Sequence, residues 1–256
     1  MEENQKQVET KKPEAKHKKK RRRKHYFLRF LAFCAIIAGC VLFLRSDFFL
    51  VSKIEVVGND YYNQAKVVEI SGMTGGYNIF KTDTKEPLAK LLADPYISLA
   101  SVKKKLPKTI EITITERTEY AAVPYGTEYV IIDNEGMVLR TTDVEPALPL
   151  LSGMNIIEMT PGKALSVEQG YMLTGTLELI AVMHENDLYF KRIEFSNVVV
   201  RAYVYDDLCC KGTPEKITEN MAGLKTTLSE LYDQGITKGV VIVGSDNHFT
   251  YNAKIE

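Results

Sequence analysis

The sequence predicts an α+β protein carried on one transmembrane helix, and three observations lead there. A 19-residue apolar stretch, Tyr26 to Leu44, follows a run of lysines and arginines. A β-α-α-β-β pattern then fills residues 51–117. Beyond it, short apolar strands alternate with two long helical patterns as far as the C-terminus.

The basic segment comes first. The 256-residue chain is neutral overall, yet residues 1–45 hold 13 basic and 4 acidic residues, a net of +9, and the other 20 basic and 29 acidic residues give −9. Such a split suits a chain that works in two compartments. Residues 1–25, with the run Lys16 to His25, show no apolar periodicity and cannot bury enough surface to offset their ordering entropy. They are expected to be a disordered cytoplasmic tail. Alone, the run would also suit a nucleic-acid patch, but the apolar stretch behind it argues for a lipid bilayer and against nucleic acid.

Residues 26–45 are expected to be an uncleaved transmembrane anchor. Its apolar part, residues 26–44, carries one charge, Arg29, near its basic end, where the side chain reaches the headgroups. At about 1.5 Å per residue it spans roughly 28 Å, close to the hydrocarbon thickness. The positive-inside rule keeps the tail in the cytoplasm and places Ser46 onward outside the plasma membrane. A cleaved signal would need a small-residue cleavage site after its apolar region, and Val41-Leu42-Phe43-Leu44-Arg45 offers none. Ile37-Ala38-Gly39-Cys40 resembles a lipoprotein box, with Cys40 as the acylated residue. Against it, the apolar run continues four residues past Cys40.

In the exported part, Val51 to Asn59 reads as a strand ending in a Gly-Asn turn. A short helix follows from Asn63, a fitting N-cap, to Ile70, with Val67, Val68 and Ile70 inward. Thr84 to Ala93 gives a second helix with Leu88, Leu91 and Leu92 on one face, stopped by Asp94-Pro95. Ile97 to Leu106, a Pro107-Lys108 turn, and Thr109 to Glu116 complete the unit. The last strand alternates strictly, isoleucines on one face and Thr/Glu on the other.

These residues resemble a POTRA domain: the Val-Val-Gly-Asn strand end, Ser71 to Phe80, and Lys104 to Ile110 running into Ile112-Thr113-Ile114-Thr115-Glu116-Arg117. Behind a single transmembrane helix with a basic tail, they resemble the FtsQ/DivIB bacterial cell-division family. The resemblance implies a POTRA domain over residues 49–118 and a mostly antiparallel β domain with flanking helices over residues 119–256.

The sequence supplies candidates for that second domain. Tyr129 to Leu139 reads as a hairpin around Asn134-Glu135-Gly136, and Pro146 to Gly153 looks like the family's Leu-Pro-x-Leu-x-Gly connector. A helix from Ser166 to His184, strands at Lys191–Phe195 and Val198–Tyr205, and a helix from Pro214 to Tyr232 capped by Thr213 come next. Strands Gly239–Gly244 and Phe249–Ile255 close the chain. Family members often carry an Ile-Asp-Leu sequence in the penultimate strand, and Val241-Ile242-Val243 departs from it.

Chemistry is sparse. The sequence lacks phosphate-binding, nucleophile-elbow and His-Glu-x-x-His motifs. Ser101-Val102-Lys103-Lys104 matches Ser-x-x-Lys only formally, in a strand and without companion motifs. His184 and His248 read as solvated, and Asp206-Asp207 with Cys209-Cys210 as a turn with buried or half-buried thiols. Four cysteines, two of them adjacent, do not make a disulfide scaffold. No catalytic residue, metal, cofactor or small-molecule substrate is expected.

The family resemblance implies a non-enzymatic scaffold enriched at the division septum, whose C-terminal β edge docks two other single-pass proteins, FtsL and the FtsB/DivIC type. The matching positions are His248, Phe249, Thr250, Tyr251 and Asn252. Phe249 and Tyr251 share a face, and either contact a partner or pack the sheet. A membrane-anchored cell-wall enzyme and a surface lipoprotein are the alternatives.

Overall fold

The computed structural model describes residues 23–196 and 198–254. Residues 1–22 of the expected tail lie outside them. The first helix, α1 (Arg23–Leu44), begins three residues inside that tail. From Tyr26 to Leu44 it is exposed at every position, including its phenylalanines and leucines. An apolar cylinder with no polar face is stable only in an apolar surrounding, so the bilayer is its natural solvent. Residues 50–256 form a separate compact unit.

That unit opens with β1 (Lys53–Val57), α2 (Gln64–Ser71), α3 (Lys85–Leu92), β2 (Ile97–Lys105) and β3 (Thr109–Glu116). The strands are ordered β1-β3-β2, with β1 parallel and β2 antiparallel to β3. The alternation in β3 has its physical outcome: Ile110, Ile112 and Ile114 are buried and the residues between them are not. Asn63 caps α2, its Oδ1 accepting the Lys66 N–H at 2.8 Å. Val67 is buried, while Val68 and Ile70 are half-buried. In α3 the buried face is Pro87 and Leu91, and Leu92 turns outward, because the helix is too short to bury a wider stripe. Gly58 ends β1 at φ +84°, where a Cβ would lie 2.1 Å from the Ile114 carbonyl oxygen, so only glycine fits.

The second part is a nine-stranded sheet. In chain order it contains β4 (Ala121–Tyr125), β5 (Glu128–Ile132), β6 (Val138–Thr142) and β7 (Leu150–Ser152). A separate pair, β8 (Ile156–Glu158) and β9 (Ser166–Val167), precedes α4 (Gly170–Glu185). Then come β10 (Arg192–Ser196), β11 (Val199–Tyr205), β12 (Asp207–Gly212), α5 (Pro214–Glu219), α6 (Met221–Asp233), β13 (Lys238–Val243) and β14 (Phe249–Asn252). The spatial order is β14-β13-β12-β11-β10-β7-β4-β5-β6, mostly antiparallel. The expected connector is therefore a strand: β7 runs parallel to both β4 and β10 and joins the two halves of the sheet.

Met172, Leu173, Leu177, Ile180 and Met183 of α4 pack with Ile217, Leu224, Leu228 and Leu231 against one sheet face. Three sequence expectations change. Ser166-Val167 is a strand and the helix starts at Gly170, because Val167 pairs with Ile156. The single helix over 214–232 is broken at Asn220 into α5 and α6. Cys209-Cys210 lies within β12, so the two buried thiols point to opposite sheet faces instead of sharing a turn.

The last residue of β3 and the segment that follows it tie the two parts of this unit together. Glu116 accepts the backbone N–H groups of Asp60, Tyr61 and Tyr62 at 2.7, 2.6 and 3.0 Å. Arg117 reaches the other way, donating to buried Asp133 and to Glu135. Glu119 accepts from Tyr96 Oη and Arg140 Nε, both at 2.7 Å.

Candidate protein-docking edge

A sheet offers a partner strand only where its edge is open. At one end of the nine-stranded sheet, β6 is partly covered: the Val138 N–H donates to the Lys163 carbonyl at 2.9 Å, and the Val138 carbonyl accepts the Gly162 N–H at 2.8 Å. In the POTRA-like sheet, edge strand β2 ends in Lys103-Lys104-Lys105, the kind of charge that discourages edge pairing. β14 has no such guard. Its four residues, Phe-Thr-Tyr-Asn, are uncharged, and β13 is its one neighbour among the described residues.

The hairpin leading into β14 is held from below. Asp246 and Asn247 turn the chain at φ 56° and 57°. Asn220, at the helix break, accepts the Asn247 N–H at 2.7 Å and donates to the Lys216 carbonyl at 2.8 Å. Asn220 is buried, and its site had a sequence cue: asparagine is a weak helix former in the middle of an apolar period.

Main-chain parity follows from one hydrogen bond. The Gly244 N–H donates to the His248 carbonyl at 2.8 Å, and the ladder pairs Ile242 with Thr250 and Val240 with Asn252. Antiparallel pairs alternate between exchanging both bonds and exchanging none, so Thr250 and Asn252 are committed to β13. The N–H and C=O groups of Phe249 and Tyr251 therefore face the open edge.

Side chains divide as expected by face, but the two aromatics differ in role. Phe249 is half-buried against the helix-covered core. Tyr251 stays 37% exposed, lies across Gly239 and donates from Oη to the Lys238 carbonyl at 2.9 Å. His248, Thr250 and Asn252 are exposed.

On the helix-free face the register continues inward from the edge in two rows. One runs Thr250, Ile242, Lys211, Arg201, and the other Asn252, Val240, Cys209, Tyr203. Tyr203, Cys209 and Val240 make a small apolar cluster, with the Arg192 guanidinium 4.2 Å over the Tyr203 ring. The Tyr203 hydroxyl donates to Glu194 at 3.1 Å. Burial raises the pKa of both thiols, so Cys209 and Cys210 are protonated near neutral pH and weak nucleophiles. Among the described residues, no group of three or more His, Cys, Asp or Glu is placed to hold a metal.

Residues 49–117 match the family model of the POTRA domain, FtsQ-type. Over 196 residues the chain is 29% identical to the cell division protein DivIB of Clostridium acetobutylicum, covering 72% of this chain and 74% of that protein. Against DivIB of Clostridium botulinum, strain Hall, identity is 26% over 212 residues, 80% of this chain and 82% of the relative. The cell division protein FtsQ of Syntrophotalea carbinolica is 28% identical over 137 residues, 53% of this chain and 48% of that protein.

Proposed function

We propose that this chain, similar over most of its length to DivIB cell-division proteins and carrying a match to the POTRA domain, FtsQ-type, is a membrane-anchored scaffold of the division machinery, without enzymatic turnover. Its helix α1 spans the plasma membrane once, with the basic tail in the cytoplasm and residues 46–256 outside, at the septum. The β14 edge, His248 to Asn252, accepts a strand from a partner of the FtsB/DivIC type, in complex with FtsL.

The observation that carries this reading is the open, uncharged edge of β14, whose outward main-chain groups belong to Phe249 and Tyr251. Ile242 and Lys211, next to the edge on the helix-free face, support a partner segment with an apolar and an acidic residue beside its strand. Confinement to one membrane raises the effective concentration of the partners, so a four-residue pairing suffices.

The test places a photo-crosslinking residue at Tyr251 in the full-length chain, co-expressed with the two partners. Adducts to the FtsB/DivIC-type chain are expected at Tyr251 and absent from a probe at Tyr125 in β4. Adducts at neither position, in a chain that still reaches the membrane, would remove the docking site. Turnover of peptidoglycan fragments by the purified chain would overturn the non-enzymatic reading.

A further inference from the structure

Residues Ser46 to Phe49 fold back on the end of α1. The Ser46 N–H donates to the Phe43 carbonyl at 3.0 Å and the Phe49 N–H to the Ser46 carbonyl at 3.1 Å. The rings of Phe48 and Phe49 lie 5.7 and 5.3 Å from that of Phe43. The very next residue, Leu50, bridges to Asn78, and the Val51 N–H donates to the Tyr77 carbonyl at 2.8 Å. A single peptide bond thus separates the aromatic cluster on the apolar helix from the first residue fixed in the POTRA domain. That holds at any angle between the two units.

Two loops flank Leu50 to Lys53. One is the Gly76–Lys81 loop, paired to Leu50 and Val51. The other is the Leu106–Lys108 turn, whose Lys108 carbonyl accepts the Ser52 N–H at 3.0 Å. Both present apolar tips to solvent: Tyr77 is 64% exposed and Leu106 60%. Both are also basic. Glu55 and Glu111 on the neighbouring sheet face are each paired within the domain, to Lys53 and Lys105. Asp83 accepts its own neighbour's backbone, the Lys85 N–H, at 2.9 Å. With Asp47 the one carboxylate of the linker, a positive surplus is left by Lys81, Lys103 and Lys104, all exposed. Exposed tyrosine and leucine set among lysines is the composition of a headgroup-level contact.

We propose that this end of the POTRA domain is a lipid-binding surface: Tyr77 and Leu106 seat among the headgroups while Lys81, Lys103 and Lys104 hold anionic phospholipid phosphates. The proposal relies on α1 being the membrane anchor.

The experiment reconstitutes the full-length chain with a photo-crosslinking residue at Phe43, Tyr77 or Leu106 in separate preparations. Vesicles are of phosphatidylcholine alone or with one third phosphatidylglycerol, and lipid adducts are read by mass spectrometry. Adducts are expected at Phe43 in both vesicles, and at Tyr77 and Leu106 several-fold more in the anionic ones. A lysine near an anionic surface is worth about a factor of five in partitioning, so Lys81→Gln, Lys103→Gln and Lys104→Gln together should abolish the difference. Adducts at Phe43 but none at Tyr77 or Leu106 overturn the proposal and leave the anchor standing. Equal yields in both vesicles, or adducts to a second copy of the chain, also overturn it. Loss of adducts at Phe43 removes the anchor and the proposal together.

Discussion

The side-chain oxygen of Asn220 accepts the N–H of Asn247 at 2.7 Å, joining the helix break to the hairpin that carries β14. Asn220→Ala takes the acceptor from the Asn247 N–H and leaves the Lys216 carbonyl with only the backbone N–H of residue 220, which costs about 1 kcal/mol. The expected outcome is a lower urea midpoint and faster amide exchange at Thr250. Asn220→Asp keeps the acceptor and should retain most of the protection. Equal exchange in Asn220→Ala and the parent would mean the hairpin is held by packing alone.

Proline scanning of β14 should read its two sides separately. Thr250→Pro removes a donor committed to Ile242 and should destabilise the fold itself. Tyr251→Pro removes a donor that faces outward, so stability should match that of Tyr251→Ala while capture of the FtsB/DivIC-type partner falls further. Co-purification from detergent extracts, alongside urea unfolding of the same variants, compares them. Partner capture equal in Tyr251→Pro and Tyr251→Ala would exclude main-chain pairing at that position.

What could be read from the sequence follows the strength of local periodicity. The isoleucines of β3 and the Asn63 cap are short-range signals, and both elements formed where the residues asked for them. The alternation around Thr250 likewise placed Phe249 and Tyr251 on one face. Ser166-Val167 was hidden because two residues carry no period, and only the tertiary pairing with Ile156 makes them a strand. The central place of β7 is also non-local: three residues become a strand because β4 and β10 sit on either side. The roles of Phe249 as a core contact and Asn220 as a clamp depend on neighbours far apart in the chain, which composition cannot reveal.

Arg117 is the sole cation reaching buried Asp133 among the described ion pairs, and it reaches Glu135 as well. Asp133 is 1% exposed and also accepts the Glu135 and Met137 N–H groups, shaping the turn between β5 and β6. Arg117→Met therefore strands a buried carboxylate, with a cost of about 3 kcal/mol in urea unfolding of the chain in detergent micelles. The double variant Arg117→Met with Asp133→Asn should recover part of the loss. A loss below about 1 kcal/mol would show that solvent reaches Asp133 when the arginine is gone.

Glu119 gives a pH-dependent test of the lock between the POTRA domain and the sheet. The Arg140 guanidinium, 2.7 Å away, holds its carboxyl below the ordinary value of 4.5; burial opposes this, and the Tyr96 hydroxyl adds to the lowering. A carboxyl whose folded pKa is depressed stabilises the fold above its unfolded pKa, and that contribution vanishes as pH falls through the folded value. Arg140 is 39% exposed at its side chain, so solvent screening limits the pair to about 0.5–1 kcal/mol. Arg140→Gln should accordingly be less stable than the parent at pH 7, with the gap closing as the pH drops below 4.5. Glu55, Asp83, Glu158 and Asp206 are also depressed, but they titrate alike in both chains and cancel in the difference. Urea midpoints of the two chains from pH 7 to pH 3 measure the gap. A gap that stays constant over that range would assign the role of Arg140 to packing of its aliphatic stem instead of to its charge.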